Sequence, residues 1–469
     1  MKITDGWAGA TPVFDDTRLI GSAGLLPVLG LAQRTGLHRL VGERVSLGPT
    51  RVRSAGVNPV GKVTAIVAGM AAGAECIDDL DVIRSGGMAR VCGGVYACAT
   101  LGQFLREFTH GHVSQLGAVL REHLVELTRQ TPSLLPGLAE QAYVDIDSLL
   151  RPVYGHAKQG ASYGHTKVAG KQVLRRGLSP LLTTLSTPTG APVIVGARLR
   201  AGRAGSGRGA GSMVRSAIRT ARAAGATGPV LVRGDAAYGS KSVVWTCLDN
   251  NAQFSLVLTR NSAVDQTIAA IPETAWTTVR YPGAVTDPDT GELISDAQVA
   301  EIGYTAFAGS RRPVTARLIV RRVRDANTQD ALFPVWRYHP FFTNSTAPTP
   351  TTDIVHRQHA IIETVNSDLI DGPLARIPSG SFPANAAWLV CAAITHNLLR
   401  AAGTLAGGRH AVARGATLRR QLIHVPARLA QPQRRPWLHL PAHWPWATDW
   451  SRLWQSAFHP RALAPPGRA

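Results

Sequence analysis

Residues 211–260 read GSMVRSAIRTARAAGATGPVLVRGDAAYGSKSVVWTCLDNNAQFSLVLTR, and the period of their apolar positions keeps changing. GSMVRSAIRTARAAGA (211–226) spaces them at helical steps and stops at a glycine. PVLVRGD (229–235) is a short apolar run of the strand type. SKSVVWTCLDNN (240–251) returns to a helical pattern, and QFSLVLTR (253–260) is again strand-like. Strand and helix alternating at this spacing predict an α/β domain. Upstream, QAYVDIDSLL (141–150), GLSPLLTTLST (177–187) and APVIVGARLR (191–200) add three β-like runs, the last two separated by a Pro-Thr-Gly turn.

Working outward gives five regions. Residues 1–135 read as helical, with LLPVLGLAQRTGLHRLV and TLGQFLREF as the clearest periods, and TPSLLPG (131–137) as a boundary loop. Residues 136–260 form the first part of the α/β core. Residues 261–350 read as a mainly β insertion, from PGAVTDPDTGELISD through RPVTARLIVRRVR and FPVWRYHPFF. Residues 351–403 bring helices back: DIVHRQHAIIETVNSDLI (353–370), with Asp353 as its expected N-cap, and NAAWLVCAAITHNLLRAAG. Residues 404–469 are a basic region rich in Arg, Pro and Trp. WLHLPAHWPW (437–446), Trp450 and Trp454 are expected to pack that region onto the body.

The chain has 469 residues and a formal net charge of +20. That excess points to a polyanionic partner, nucleic acid before an anionic membrane. No segment offers the roughly 18 unbroken apolar residues of a spanning helix. VTAIVAGMAAGA (63–74) is short and reads as a buried helix, and MKITDGWAGATPVFDD lacks the apolar run of a signal peptide. The five cysteines form no C-x-x-C pair, which argues against a zinc site or a disulfide framework and fits a reducing cytoplasm. GRAGSGRGAGS (202–212) lacks the G-K-[ST] ending of a nucleotide-binding loop.

Charge is distributed unevenly. No acidic residue lies between Asp147 and Asp235, yet fourteen Lys and Arg do. Side chains alternate along a strand, so Asp145 and Asp147 share one face of YVDIDS, and Asp235 ends a second strand. Strand ends of open α/β sheets are where sites collect. Glu363 sits beside the apolar stripe Ile354, Ile361, Ile362, Val365 and Leu369. Three carboxylates from two strands and a helix suit a pair of hard divalent cations, which activate an attacking water or hydroxyl and stabilise the leaving oxygen of a phosphoryl displacement. The surrounding chain, cleared of acids, suits a polyphosphate backbone.

Several motifs in order strengthen this. DIDS (145–148), VYGHAKQGASYGHTK (153–167), LVRGDAAYGS (231–240), HRQHAIIETVNSDL (356–369) and GPLARIPSGSFPANAAWLVCAAITHNLLRAAG (372–403) resemble the DDE transposases of the IS1380 group of bacterial insertion sequences, related to the IS4 group. The similarity extends upstream to TLGQFLREF and downstream to RGATLRRQLIHVPARL. The resemblance implies an RNase H-like catalytic core with a β insertion before the last acid, and cut-and-paste transposition with Mg²⁺ in a two-metal site, Mn²⁺ being a substitute. Matched by motif, the catalytic and metal-binding acids are Asp147, Asp235 and Glu363. Asp145 is either a supporting residue or a structural one. The implied partners are double-stranded DNA, as terminal inverted repeats and target, and a second copy of the chain in the synaptic complex. The implied setting is bacterial cytoplasm, in association with the nucleoid, with the N-terminal helices as the expected end-recognition module.

The match has departures. The IS4-like signature Y-x2-R-x3-E-x6-K falls here on His356, His359, Glu363 and Ile370, and Leu149 stands where a D-S-T pattern has threonine. Spacing puts 356, 359 and 363 on one helical face, so His356 and His359 are supporting candidates. Either this branch contacts phosphates differently or this copy is impaired. Arg215, Arg219 and Arg222 step by four and three. With Lys167, Lys171, Arg175 and Arg176 they are the expected DNA-binding residues. The rival readings are a DNA-binding protein that has lost catalysis and a general RNase H-like nuclease.

Overall fold

A computed structural model describes residues 9–48, 54–168, 171–205, 207–282, 297–324, 335–432 and 435–459, together with Thr286, Asp289 and Gly291. Most of the turn-rich stretch 282–296 and the side chain of Lys167 lie outside the described residues.

The molecule is built on a nine-stranded mixed sheet. β1 (Ala142–Ser148) lies deep within it, flanked by β2 (Leu181–Ser186) on one side and β4 (Val230–Gly234) on the other. β3 (Val193–Arg198) forms the edge beyond β2, and β5 (Gln253–Leu256) lies beyond β4. β1, β2 and β3 run antiparallel in succession, whereas β4 and β5 run parallel to β1. Two crossover helices make the parallel pairing possible: Ala210–Ala223 between β3 and β4, and Lys241–Asp249 between β4 and β5. The period changes of residues 211–260 are these two helices and two strands.

The β-like region after residue 261 makes no separate layer. β6 (Thr277–Thr278), β7 (Ala297–Ala306), β8 (Val314–Arg324) and β9 (Trp336–Thr343) continue the core sheet in the order β6-β7-β8-β9-β5. The join is Phe342 opposite Leu256 and Thr343 opposite Ser255. Between β1 and β2 the chain leaves the sheet as an antiparallel ribbon, Ser162–Val168 against Lys171–Leu178, with Arg151–Pro152 paired at its root.

α1 (Phe382–Ala406) is apolar all round and almost wholly buried, as a central core helix must be. It is long and apolar enough by composition to cross a membrane, but 89% of its most apolar window is buried inside the protein. It packs against β3, against the helices His110–Gln130 and Pro59–Ala71 of the N-terminal region, and against the C-terminal helix Ala447–Phe458. The apolar run at 63–74 is in the buried helix Pro59–Ala71, as its composition suggests. The basic C-terminal region is folded back onto the body in part: Ala427–Ala430 pairs with Leu19–Ile20, and Trp450 and Leu453 are buried, whereas in WLHLPAHWPW Trp437 and Leu440 are exposed and Trp444 and Trp446 only half-buried.

The helical stretch expected over 353–370 is broken. α-helix spans Thr349–Arg357, a 3₁₀ turn spans Gln358–Ile361, and α-helix resumes at Ile362–Ile370. Asp353 is therefore not an N-cap. It lies inside the first segment, buried, and accepts a 2.5 Å bond from the Tyr281 hydroxyl. The tighter 3₁₀ turn also rotates the phase of the face, leaving Ile361 38% exposed while Ile362, Val365 and Leu369 stay inside.

Candidate active site

β1 and β4 are neighbouring parallel strands, registered with Asp145 opposite Arg233. Two residues further along each strand stand Asp147 and Asp235, so both acids emerge at the carboxyl end of the sheet. Asp147 accepts a 2.7 Å bond from the Ser148 amide and a 2.8 Å bond from Asn366 Nδ2. Asn366 lies one helical turn after Glu363 on Ile362–Ile370, which fixes that helix beside β1. Glu363 occupies its first turn and is exposed. Asp235 is exposed too, and its Oδ1 caps the turn that follows by accepting from the Ala237 amide at 3.0 Å. That turn runs tight against β5: a Cβ at Gly239 would lie 2.0 Å from the Val257 carbonyl oxygen, so only glycine fits.

The electrostatics join the three acids. Burial, and then the like charges of Asp235 and Glu363, push the Asp147 carboxyl up to about 6, against the lowering pull of Ser148 and Asn366. Beneath them Tyr238 is wholly buried. Its phenol is held above its ordinary range by burial and by the charges of Asp147 and Asp235. Among the described residues, no three His, Cys, Asp or Glu side chains are gathered tightly enough to hold a metal ion. The donor chemistry nevertheless suits a hard cation: the ligating atoms are carboxylate oxygens, like charges of Asp235 and Glu363 act on Asp147, and the buried Asn366 Oδ1 beside them has no hydrogen-bond partner.

Asp145 plays a different part from Asp147. It is 1% exposed and paired in bidentate fashion with the equally buried Arg233, at 2.7 and 2.8 Å. Arg233 Nη1 also donates to the Val355 carbonyl at 2.9 Å, and the guanidinium lies 4.2 Å over the Tyr143 ring. One arginine thus links β1, β4 and the helix leading to Glu363.

The two histidines do not share a face with Glu363, because the 3₁₀ turn intervenes. His356 is buried, stacked on Phe341 at 4.0 Å, and its Nδ1 shares a 2.8 Å hydrogen bond with Ser255 Oγ. Burial, followed by neighbouring positive charge including His359 and Arg233, pushes it down to about 3. Its ring is packed inside the protein, where burial disfavours the charged form. His359 is half-buried and its Nδ1 donates to the His356 carbonyl at 2.6 Å. With Arg260, Arg321 and Arg357 it lines a cavity of about 440 Å³ beside Ala236, adjacent to Asp235.

The expected DNA-binding residues divide in two. Arg215 and Arg219 are exposed on Ala210–Ala223, and Lys171 and Arg175 are exposed on the ribbon. Arg222 is spent on the carbonyls of Ala226, Gly228 and Asn251, tying the end of its helix to the loop before β4. Arg176 donates to the carbonyls of Gly155 and His156. Those two arginines stabilise loops, which removes them from the exposed stripe.

Sequence reasoning passed over Arg233, Asn366 and Tyr238. Arg233 had a signal, since it precedes Asp235 by the same two residues that separate Asp145 from Asp147. Asn366, three residues after Glu363, had one in helical spacing. Tyr238 had none beyond its closeness to Asp235. A family model described as transposase DDE domain group 1 matches residues 11–458. No curated protein matches the chain.

Proposed function

The chain belongs to the transposase DDE domain group 1 family, and from that premise we propose that it moves its own insertion sequence by cut-and-paste transposition. The carrying observation is geometric: Asp147 and Asp235 stand at the ends of neighbouring parallel strands, and the helix that bears Glu363 is tied to Asp147 through Asn366. An RNase H-like reading of the core is supported by the strand order β3-β2-β1-β4-β5, with β2 and β3 antiparallel and β4 and β5 parallel to β1. The IS1380 assignment rests on the motif series from DIDS to LLRAAG.

In this reading Asp147 and Asp235 hold two Mg²⁺ ions and Glu363 completes one of the sites. The ions, when bound, supply the activated nucleophile and the charge that stabilises the leaving oxygen. The chain's own residues do the positioning. Asn366 and the Ser148 amide orient the Asp147 carboxylate, the Asp235–Ala237 turn orients its neighbour, and the Asp145–Arg233–Val355 linkage holds the three elements in register. Phosphodiesters at terminal inverted repeats are hydrolysed and the 3′ hydroxyls joined to target DNA, with two copies of the chain holding two ends. Exposed Arg215, Arg219, Lys171 and Arg175 take the phosphate backbone.

The test is a supercoiled plasmid carrying the gene's native flanks, incubated with purified protein and Mg²⁺ beside an Asp235→Asn variant. Nicking or excision at the element ends, lost in the variant, is the expected result. Binding without cleavage in Mg²⁺ or Mn²⁺ leaves a DNA-binding protein that has lost catalysis. Cutting indifferent to the ends leaves a general nuclease.

A further inference from the structure

Beyond the phosphate contacts of Lys171 and Arg175, the ribbon between β1 and β2 has no role in the reading above, yet it starts close to the acids. β1 ends at Ser148, and the chain then enters the ribbon root, where Gly177 approaches Arg151 and Gly164 approaches Gly202 closely enough that a Cβ at either would lie 2.4 or 2.2 Å from a carbonyl oxygen. Arg176, bonded to the carbonyls of Gly155 and His156, and the Arg203 amide, bonded to Ser162 Oγ at 2.9 Å, brace the root from both sides. The register runs from Ser162 opposite Gly177 to Val168 opposite Lys171, an arm of roughly 20 Å at ~3.3 Å per residue.

The two faces of the arm differ. Residues directly opposite one another in an antiparallel pair point to the same side. Tyr163 is opposite Arg176 and His165 is opposite Leu174, and Gln172 follows two residues from Leu174, so these share one face. Tyr163 is 66% and Leu174 60% exposed, and His165 and Gln172 are exposed with them. The other face carries exposed Lys171 and Arg175, and at its root Gly164 and Gly177 lie against Leu150. The arm is braced at its root and holds Tyr163 and Leu174 out in water beside exposed His165 and Gln172, a face that a partner surface can cover. The stretch from 148 to 234 contains no acidic residue, so that surface is negatively charged.

We propose that this ribbon enters the major groove of duplex DNA, with Tyr163, His165, Gln172 and Leu174 against base edges and Lys171 and Arg175 against the flanking phosphates. The inference rests on the transposase reading. A B-form major groove about 12 Å wide admits a two-stranded ribbon. Glutamine is a bidentate partner for adenine, and an apolar side chain packs on the thymine methyl. The arm's root, just beyond Asp147, sets the register between the bases read and the phosphodiester cut.

Two double variants separate the faces: Gln172→Ala with Leu174→Ala, and Lys171→Ala with Arg175→Ala. All four side chains are exposed, so folding is expected to be unchanged, and circular dichroism checks this. The probes are a 40-bp duplex carrying one native flank of the gene and a scrambled duplex of equal composition, titrated by fluorescence anisotropy across a salt series. The first variant is expected to lose about tenfold in preference for the native duplex with its salt slope intact. The second is expected to weaken both duplexes alike and lower the slope by about two. Guanine N7 protection on the native duplex, lost in the first variant, marks the major groove. Unchanged preference and slope in both variants overturn the proposal, as does equal affinity of the unaltered protein for both duplexes, or competition by a minor-groove ligand without N7 protection. If plasmid cleavage at the ends persists through such a failure, only the ribbon's role falls. If the unaltered protein binds neither duplex, the transposase reading falls with it.

Discussion

At the residue scale, the neighbouring aspartates of β1 do opposite things. Asp145 is a buried charge with a buried partner, so removing one member leaves the other uncompensated, at a cost of about 3–5 kcal/mol. Asp145→Ala is expected to lower stability by that amount in urea unfolding, and Asp145→Leu combined with Arg233→Met to recover most of the loss. A cost below 1 kcal/mol for the single variant would show that the pair is solvated. Asp147 is the reverse case. Its folded carboxyl titrates near 6 rather than at its ordinary value, so ionising it works against the native state as pH rises from about 4 to 6, and the penalty is constant above that. Asp147→Asn should therefore raise stability at pH 7.5 without divalent ions by about 3 kcal/mol, while abolishing cleavage. Added Mg²⁺ should stabilise the unaltered protein and leave the variant unmoved. Thermal melts with and without the ion check both, and a less stable variant would contradict the repulsion argument. Acid-poor sequence around D-x-D and R-G-D made Asp147 and Asp235 legible. It did not distinguish Asp145 from Asp147, because the partner that internalises Asp145 is 88 residues away.

At the element scale, helices and strands with strong periods were readable, and the breaks between them were not. Nothing in HRQHAIIETV signals a 3₁₀ turn through propensity. The turn follows from tertiary demands: His356 must stack on Phe341 while Asn366 reaches Asp147. The edge strand β3 shows a similar dependence. The register between β2 and β3 shifts at Thr183/Thr184, passing over Val195, and Ile194, opposite Thr184, also meets the core helix. Asn397 accepts from the Ile194 amide and donates to the Ile194 carbonyl, each at 2.7 Å, inside the core. A leucine at 397 keeps the volume and strands both backbone groups without water. Asn397→Leu is expected to cost about 2–5 kcal/mol in urea unfolding. A change under 1 kcal/mol would mean that β3 finds other partners.

At the scale of the whole molecule, the sequence suggested regions in series, whereas the structure shares one core among them. Strands after residue 261 extend the first sheet, and the N-terminal and C-terminal segments meet on a helix that is buried on every side. Long-range pairings such as Phe342 with Leu256 leave no local trace, since either strand would satisfy its period beside another neighbour. That shared core places three histidines out of reach of water. His123 is bonded to Thr35 Oγ1 at 2.9 Å, His356 is stacked on Phe341, and His396 is bonded to the Pro192 carbonyl. Burial is the leading cause in each, pushing them down to about 4, 3 and 4. Unfolded, each takes a proton near its ordinary 6.5; folded, each refuses it. Stability is therefore fully present above that value and is lost as pH falls through 6.5 toward 4. Asp147 acts in the opposite direction over pH 6 to 4, but it is one group against three. By pH 5 the net loss is on the order of 3–5 kcal/mol. Melting temperature measured from pH 7.5 to 5 should fall by several degrees, and His123→Gln should flatten the fall by about a third. A melting temperature constant over that range would mean that the three rings accept protons in the folded state, and that the core around the long helix opens to water far more readily than its packing implies.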